Sequence, residues 1–214
     1  MQKVIHDTEF INWLENRFSL PLPGKDAHMI MSPKIRPPGL ETLTQPTYKE
    51  SSVLILFYPE NGEWHLPFIL RNDIGGPHKA QISFPGGKKE MYDENVIATA
   101  LREAQEEVGI IPDDVRILGQ LTDLFVPPSN FMVHPVVGYI DYIPDFIPDP
   151  KEVQKVLTTP LKMFLNTNAV NEKVVMSFQG FPISAPYFDL HGHTLWGATA
   201  MMMSELIEIA KEYK

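Results

Sequence analysis

Apolar residues change their spacing several times along these 214 residues, and each change marks an element. From Thr8 onward, Phe10, Ile11, Leu14 and Phe18 recur at three- and four-residue intervals, which predicts an amphipathic helix. Periodicity disappears between residues 20 and 50, where LPLPG, IRPPGL and TQPTY crowd proline and polar groups into an irregular arm over the surface. SVLILFY (52–58) is apolar almost throughout, as a strand covered on both faces would be. NGEW (61–64) reads as the turn to a hairpin partner, HLPFILR (65–71), and QISF (81–84) as a short strand running into a Gly86-Gly87 turn. A helix over about 94–108 follows, stopped by Gly109 as a C-cap.

Farther along, VRILGQL (115–121) and FMVHPVVGYI (131–140) read as strands separated by a PPSN turn. PDFIPDPKEV (144–153) is an acidic, proline-rich loop leading into a short helix, and VVMSFQ with SAPYFDL suggests another hairpin. LWGATAMMMSELIEIAKEY (195–213) predicts a terminal helix with Leu195, Thr199, Met202, Leu206 and Ile209 on one side and its methionines as core filler. Strands interleaved with a few helices predict a mixed α/β (α+β) fold. One domain is expected over residues 1–214, with an N-terminal helix and arm (1–50) ahead of a core (51–214).

Composition narrows the function. With 43% hydrophobic and 21% charged residues the chain is globular. A net charge of −9 without a long basic run argues against a nucleic-acid partner, yet leaves small anionic ligands open if a cation screens them. There is no cysteine, which excludes disulfides, thiolate metal sites and thiol nucleophiles. The charged start MQKVIHDTEF lacks a signal peptide's apolar stretch and no apolar run is long enough to span a membrane, so a cytoplasmic protein is expected.

The chemistry concentrates in the helix near residue 100. At about 100° per residue, Val96, Ile97, Ala100, Leu101, Ala104 and Val108 share an arc of about 140°, the expected buried face. Glu103, Glu106 and Glu107 fill the adjoining arc, at spacings where like charges repel by a few tenths of a kcal/mol per pair. Arg102 offsets only part of that. Such a run is usually a solvated acidic face, but a divalent cation would turn the repulsion into a site. All-oxygen ligands without a cysteine or histidine pair favour Mg²⁺ or Mn²⁺ over zinc.

The segment resembles the Nudix box, the signature of hydrolases that act on a nucleoside diphosphate linked to another group. Arg102-Glu103-Ala104-Gln105-Glu106-Glu107-Val108-Gly109-Ile110 matches its second half position by position, and Gly87 with five residues to Asp93 matches the first. The join is one residue longer than the family pattern, so Asp93 or Glu94 fills the first acidic position. The resemblance implies an α/β/α sandwich around a mixed β-sheet, with Glu103, Glu106 and Glu107 binding metal and Arg102 orienting them. It also implies a backbone carbonyl of the Gly86-Gly87 turn as a further ligand. The general base would be a box glutamate such as Glu103 or an acid of the 141–152 loop, which offers Asp141, Asp145, Asp149 and Glu152.

Flanking residues bear on the substrate. His78, Gln81, Phe84, Pro85, Gly86 and Gly87, with Arg71 upstream, look like the coenzyme A pyrophosphatase branch, as do LFVPPSNFMVHPVVG (124–138) and LWGATA (195–200). The branch's second Arg falls here on Gly76 and its Gly on Ala80, two departures. Arg71, Lys79, Gln81, Phe84, Gly86, Gly87 and Lys88 are therefore expected to bind substrate, with Lys89 a further basic candidate near the turn. Phe84 has the alternative of packing beneath the turn, and His78 and His134 could touch a ligand or be satisfied structurally. The implied reaction cuts coenzyme A or an acyl-CoA into 3′,5′-ADP and a 4′-phosphopantetheine product. Alternatives are another nucleotide substrate (ADP-ribose, NADH or a nucleoside triphosphate) or a non-catalytic nucleotide-binding module. The partner expected is a small nucleotide, with the protein a monomer or homodimer.

Overall fold

Long apolar strands with side chains on both faces need two covering layers, and the chain supplies them. The computed structural model describes residues 8–33, 47–72, 81–165, 170–178 and 181–213. At the centre is β1 (Lys49–Glu60), joined through the Asn61-Gly62 turn to β2 (Glu63–Arg71). Both turn residues have positive φ, 51° and 81°, as a two-residue hairpin with native twist requires. β3 (Ile82–Ser83) pairs with β2, and β4 (Gly86–Lys88) with β1. β5 (Arg116–Gln120), β6 (Leu124–Val126) and β7 (Phe131–Tyr139) build the other side, and β8 (Val153–Pro160) pairs with β2. The resulting eight-stranded sheet is mixed, since β1 and β7 run parallel while the other pairings are antiparallel.

Alternation along β1 assigns the layers. Leu54, Leu56 and Tyr58 join Ala100, Ala104 and Val108 of helix α3 (Val96–Val108). Ile55 and Phe57 face the opposite core, with Phe10, Ile11 and Leu14 of α1 (Thr8–Arg17) and Met202, Met203 and Leu206 of α5 (Gly197–Ala210). Helices on both faces of a mixed sheet make the expected α/β/α sandwich.

Several elements differ from expectation. A short helix, α2 (Lys25–Ile30), stands inside the stretch read as irregular arm. It is pinned by Glu205, which lies fully buried on α5 and accepts hydrogen bonds from Gly24 N (2.9 Å), His28 Nε2 (2.9 Å), Thr122 N (3.1 Å) and Thr122 Oγ1 (2.6 Å). Residues 34–46 of the arm lie outside the described residues. The 144–153 loop leads directly into β8, because an Asp149 turn closes on Val153 and the alternating VQKVLTTP then pairs with β2; the short helix α4 (Leu161–Leu165) comes only afterwards. The terminal helix starts at Gly197, since Leu195 belongs to β11 (His193–Leu195) and pairs with Phe188. β11, β10 (Phe181–Leu190) and β9 (Val170–Phe178) form a separate three-stranded sheet, one strand more than the predicted hairpin.

Candidate active site

Helix α3 is fixed at both ends. Asn95 caps its start by accepting from Ala98 N (2.9 Å), and Gly109 closes it in the left-handed region at φ 76°, donating to Gln105 O. Its last carbonyls are met by the acidic loop, where Ile147 N donates to Val108 O and Asp149 N to Glu107 O, both at 3.0 Å. That docking brings the loop's end, Glu152, to the carboxylate face.

Three glutamates of this helix occupy three environments. Glu107, placed by the helical arc beside the buried face with Glu103 and Glu106, is 1% exposed. The arc is right, but β4 and the loop cover it. Glu107 Oε2 accepts from Gly86 N at 2.8 Å. Its Oε1 is buried and lies 3.3 Å from Arg71 Nη1, without hydrogen-bond geometry to any donor. Burial pushes the Glu107 carboxyl up to about 7; Arg71 and the Gly86 amide oppose the rise, and Glu103 and Glu152 add to it. Glu103 is half-screened and is also raised, by burial against the opposing pull of Arg102, with Glu106 and Glu152 contributing. Glu106 is exposed.

Arg102 organises this face. Its Nε and Nη2 grip Asp93 as a fork, both at 2.9 Å, while Nη1 donates to Glu103 (2.8 Å) and Glu106 (3.0 Å). Nη2 also donates to Lys88 O at 3.1 Å, tying the helix to β4. Asp93 is buried, accepts further from Thr99 Oγ1 and Glu90 N, and is held well below the usual carboxylate range by Arg102. Of the two candidates for the first acidic position, Asp93 is thus the one that meets Arg102; Glu94 is exposed.

The Gly86-Gly87 pair lies in a strand that β1 and the helix leave no room to decorate. A Cβ on Gly86 would stand 2.6 Å from Val53 Cα, and one on Gly87 would overlap the Glu103 carboxylate. The expected turn is therefore an edge of β4, and the observed backbone contact to the glutamates is Gly86 N–H, a donor, to Glu107.

Residues 49–177 match the model of the NUDIX domain. The chain belongs to the Nudix family. Its relatives include the peroxisomal coenzyme A diphosphatase NUDT7 of Mus musculus, 36% identical over 124 residues, which are 58% of this chain and 52% of that protein. They also include the mitochondrial coenzyme A diphosphatase NUDT8 of Homo sapiens, 32% identical over 74% of this chain and 68% of that one. The match thus spans only about half the length of the mouse relative. Among solved structures, a Nudix hydrolase of M. smegmatis, RenU, shares the fold with a TM-score of 0.54 at 12% identity, over 78% of this chain and 88% of that one.

On the Nudix frame, the expected substrate residues separate. Arg71 reaches Glu107 and stands 3.8 Å from Glu152, so it belongs to the carboxylate site. Gln81 lies across from it, its carbonyl accepting from Arg71 N. Phe84 is not a pocket wall: it is fully buried and stacked on Phe68 at 4.8 Å, so it supports the strand from beneath. Lys88 and Lys89 sit near Glu90 (3.4 Å) and Glu50 (3.8 Å). Lys79 and His78, and the departures at Gly76 and Ala80, lie outside the described residues. His134 is buried, with Nδ1 on Asp123 at 2.8 Å. Of the loop acids, Glu152 is the one that acts on both Glu103 and Glu107.

Among the described residues no three acidic or imidazole side chains stand together as a ready-made ion cage; the glutamates are paired with Arg102 and Arg71 instead. The donor set nevertheless fits a hard divalent cation. Glu107 Oε1 is a buried anionic oxygen lacking a hydrogen-bond donor, all the candidate donors are oxygens, and the site has no sulfur.

Proposed function

We propose that this Nudix protein is a divalent-metal hydrolase that cleaves the diphosphate of coenzyme A or an acyl-CoA to 3′,5′-ADP and the corresponding 4′-phosphopantetheine. The observation that carries the chemistry is the buried oxygen of Glu107 beside Glu103, which has Arg71 at 3.3 Å as a counter-charge but no hydrogen-bond donor, so that a cation would complete it. The coenzyme A diphosphatase relatives support the substrate.

Glu103, Glu106 and Glu107 would hold Mg²⁺ or Mn²⁺. When bound, the ion neutralises diphosphate charge and acidifies the attacking water. Arg102 fixes the direction of Glu103, and its grip on buried Asp93 keeps that direction from relaxing. Gly86 N–H holds the inner oxygen of Glu107 so that the outer one faces the site. Arg71 turns from its glutamates to the diphosphate. Glu152, about half exposed at the rim, takes the water proton. A single hydrolase domain over the whole chain and a cytoplasmic location belong to the same proposal.

The test is product analysis by mass after incubation with Mg²⁺ or Mn²⁺ and, separately, coenzyme A, ADP-ribose, NADH and a nucleoside triphosphate. 3′,5′-ADP from coenzyme A, well above any other cleavage, is expected. Preferred cleavage of another compound would refute the substrate, and no cleavage of any would favour a nucleotide-binding module.

A further inference from the structure

Beside the carboxylate site lies an open cavity of about 460 Å³, lined by Gln81, Ile82, Lys173, Val174, Val175, Gly192, His193, Thr194 and Trp196. It forms where the three-stranded sheet meets β3, the edge of the main sheet, and Thr199 Oγ1 at the start of α5 donates to Ile82 O across the junction. Gln81 links it to the chemistry. Its carbonyl accepts from Arg71 N, one strand spacing away (about 5 Å), and the Arg71 guanidinium reaches Glu107.

Lys173 gives the cavity its charge. It lies over the Tyr187 ring at 4.6 Å and has no carboxylate partner among the described residues, whereas Lys88 and Lys89 each have a nearby glutamate. Asp189, paired with the lining residue Thr194, spends its carboxylate on Gly192 N at 2.7 Å. Glu172, the preceding residue, is exposed and is not among the lining residues. A cation, an imidazole (His193), a hydroxyl (Thr194) and an amide (Gln81) converge there beside the Trp196 indole and Val175. That is the chemistry of a site for a phosphorylated nucleoside, with donors for the phosphate and apolar walls for the base.

We infer that this cavity holds the 3′-phosphorylated adenosine end of the substrate, with Lys173 binding the 3′-phosphate while Glu103 and Glu107 address the diphosphate. The inference rests on the coenzyme A reading above. It places substrate recognition on β9 and β11, two strands outside the Nudix box. The separation suits the ligand, because the 3′-phosphate and the diphosphate hang from one ribose.

Two measurements test it. The ratio of kcat/KM on coenzyme A to that on dephospho-coenzyme A is compared between wild type and Lys173→Ala; Lys173 is exposed, so its removal spares the core. The ratio is expected to fall about tenfold, the effect of losing one charge-assisted contact. An unchanged ratio overturns the inference. Calorimetric binding of 3′,5′-ADP and 5′-AMP to the same two proteins decides the question even if neither coenzyme is cleaved. Wild type should favour 3′,5′-ADP and Lys173→Ala should lose that preference. Equal binding in wild type, or a preference that survives the substitution, would overturn the assignment. Lysine-dependent binding without turnover would uphold it and refute the proposed reaction instead.

Discussion

Replacing Glu107 by Gln tests the electrostatics of the site apart from its chemistry. In the metal-free fold Glu107 is buried and its carboxyl is pushed up to about 7, from an ordinary 4.5. A carboxyl raised in the fold is one whose protonated form the fold prefers. Its contribution therefore declines as pH rises from the unfolded value toward 7, and the loss is complete above it. At 1.36 kcal/mol per pH unit, ionising Glu107 costs the folded protein about 3 kcal/mol by pH 8. The Glu107→Gln amide keeps an oxygen for Gly86 N and carries no charge, but it leaves Arg71 with only distant Glu152, which returns part of the gain. Urea unfolding in excess chelator should thus show the variant and wild type close together at pH 5. At pH 8 the variant should be the more stable, by about 1–3 kcal/mol. A difference that does not grow with pH, or a variant less stable at pH 8, would make the carboxylate a structural group.

Three further outcomes follow from the geometry. Arg102→Ala leaves Asp93 buried and unpaired, so urea unfolding should show a loss of about 3–5 kcal/mol; Arg102→Lys cannot rebuild the two-pronged grip, and full rescue by it would contradict the account. Gly87→Ala drives a methyl into the Glu103 carboxylate, the movable end of a side chain. It should lower metal affinity at least tenfold by calorimetry while the melting temperature shifts by no more than about 2 °C, because one methyl displaces a carboxylate rather than the backbone; unchanged affinity would remove Glu103 from the site. Glu205→Ala abandons four donors around α2 and should lower the melting temperature by roughly 10 °C, corresponding to about 3 kcal/mol. A shift of only a degree or two would show the pin to be dispensable.

How far the sequence could be read depended on whether the signal was local. The run SVLILFY declared a strand covered on both faces, and β1 is one, because covering both faces leaves no polar alternation to mislead. The order of charges in α3 was equally legible, with Gly109 marking its end; the Asn95 cap emerged only from the structure. What the helical arc could not tell was which glutamate is covered. Glu107 is buried by Gly86 and by the loop around Ile147, segments about 20 and 40 residues away. Asp93 and Glu94 were ambiguous by one residue until Arg102 reached one of them. Helix α2 gave no periodic signal because it is short and is held by buried Glu205, nearly two hundred residues later. β8 was hidden because its strand begins inside what reads as an acidic loop, and the turn at Asp149 that separates them is set by hydrogen bonds to Glu107 and Val153. Lys173 carried no motif at all, and only the junction of two sheets makes it a cavity wall.

The reaction and its metal site are tested together by the release of 3′,5′-ADP from coenzyme A with Mg²⁺, compared between wild type and Glu103→Gln. Wild type should release 3′,5′-ADP, and the variant at a rate at least about a hundredfold lower, the scale on which a lost electrostatic contact to a reacting group registers. Equal release by both proteins, or 3′,5′-ADP absent from wild type, would contradict this expectation.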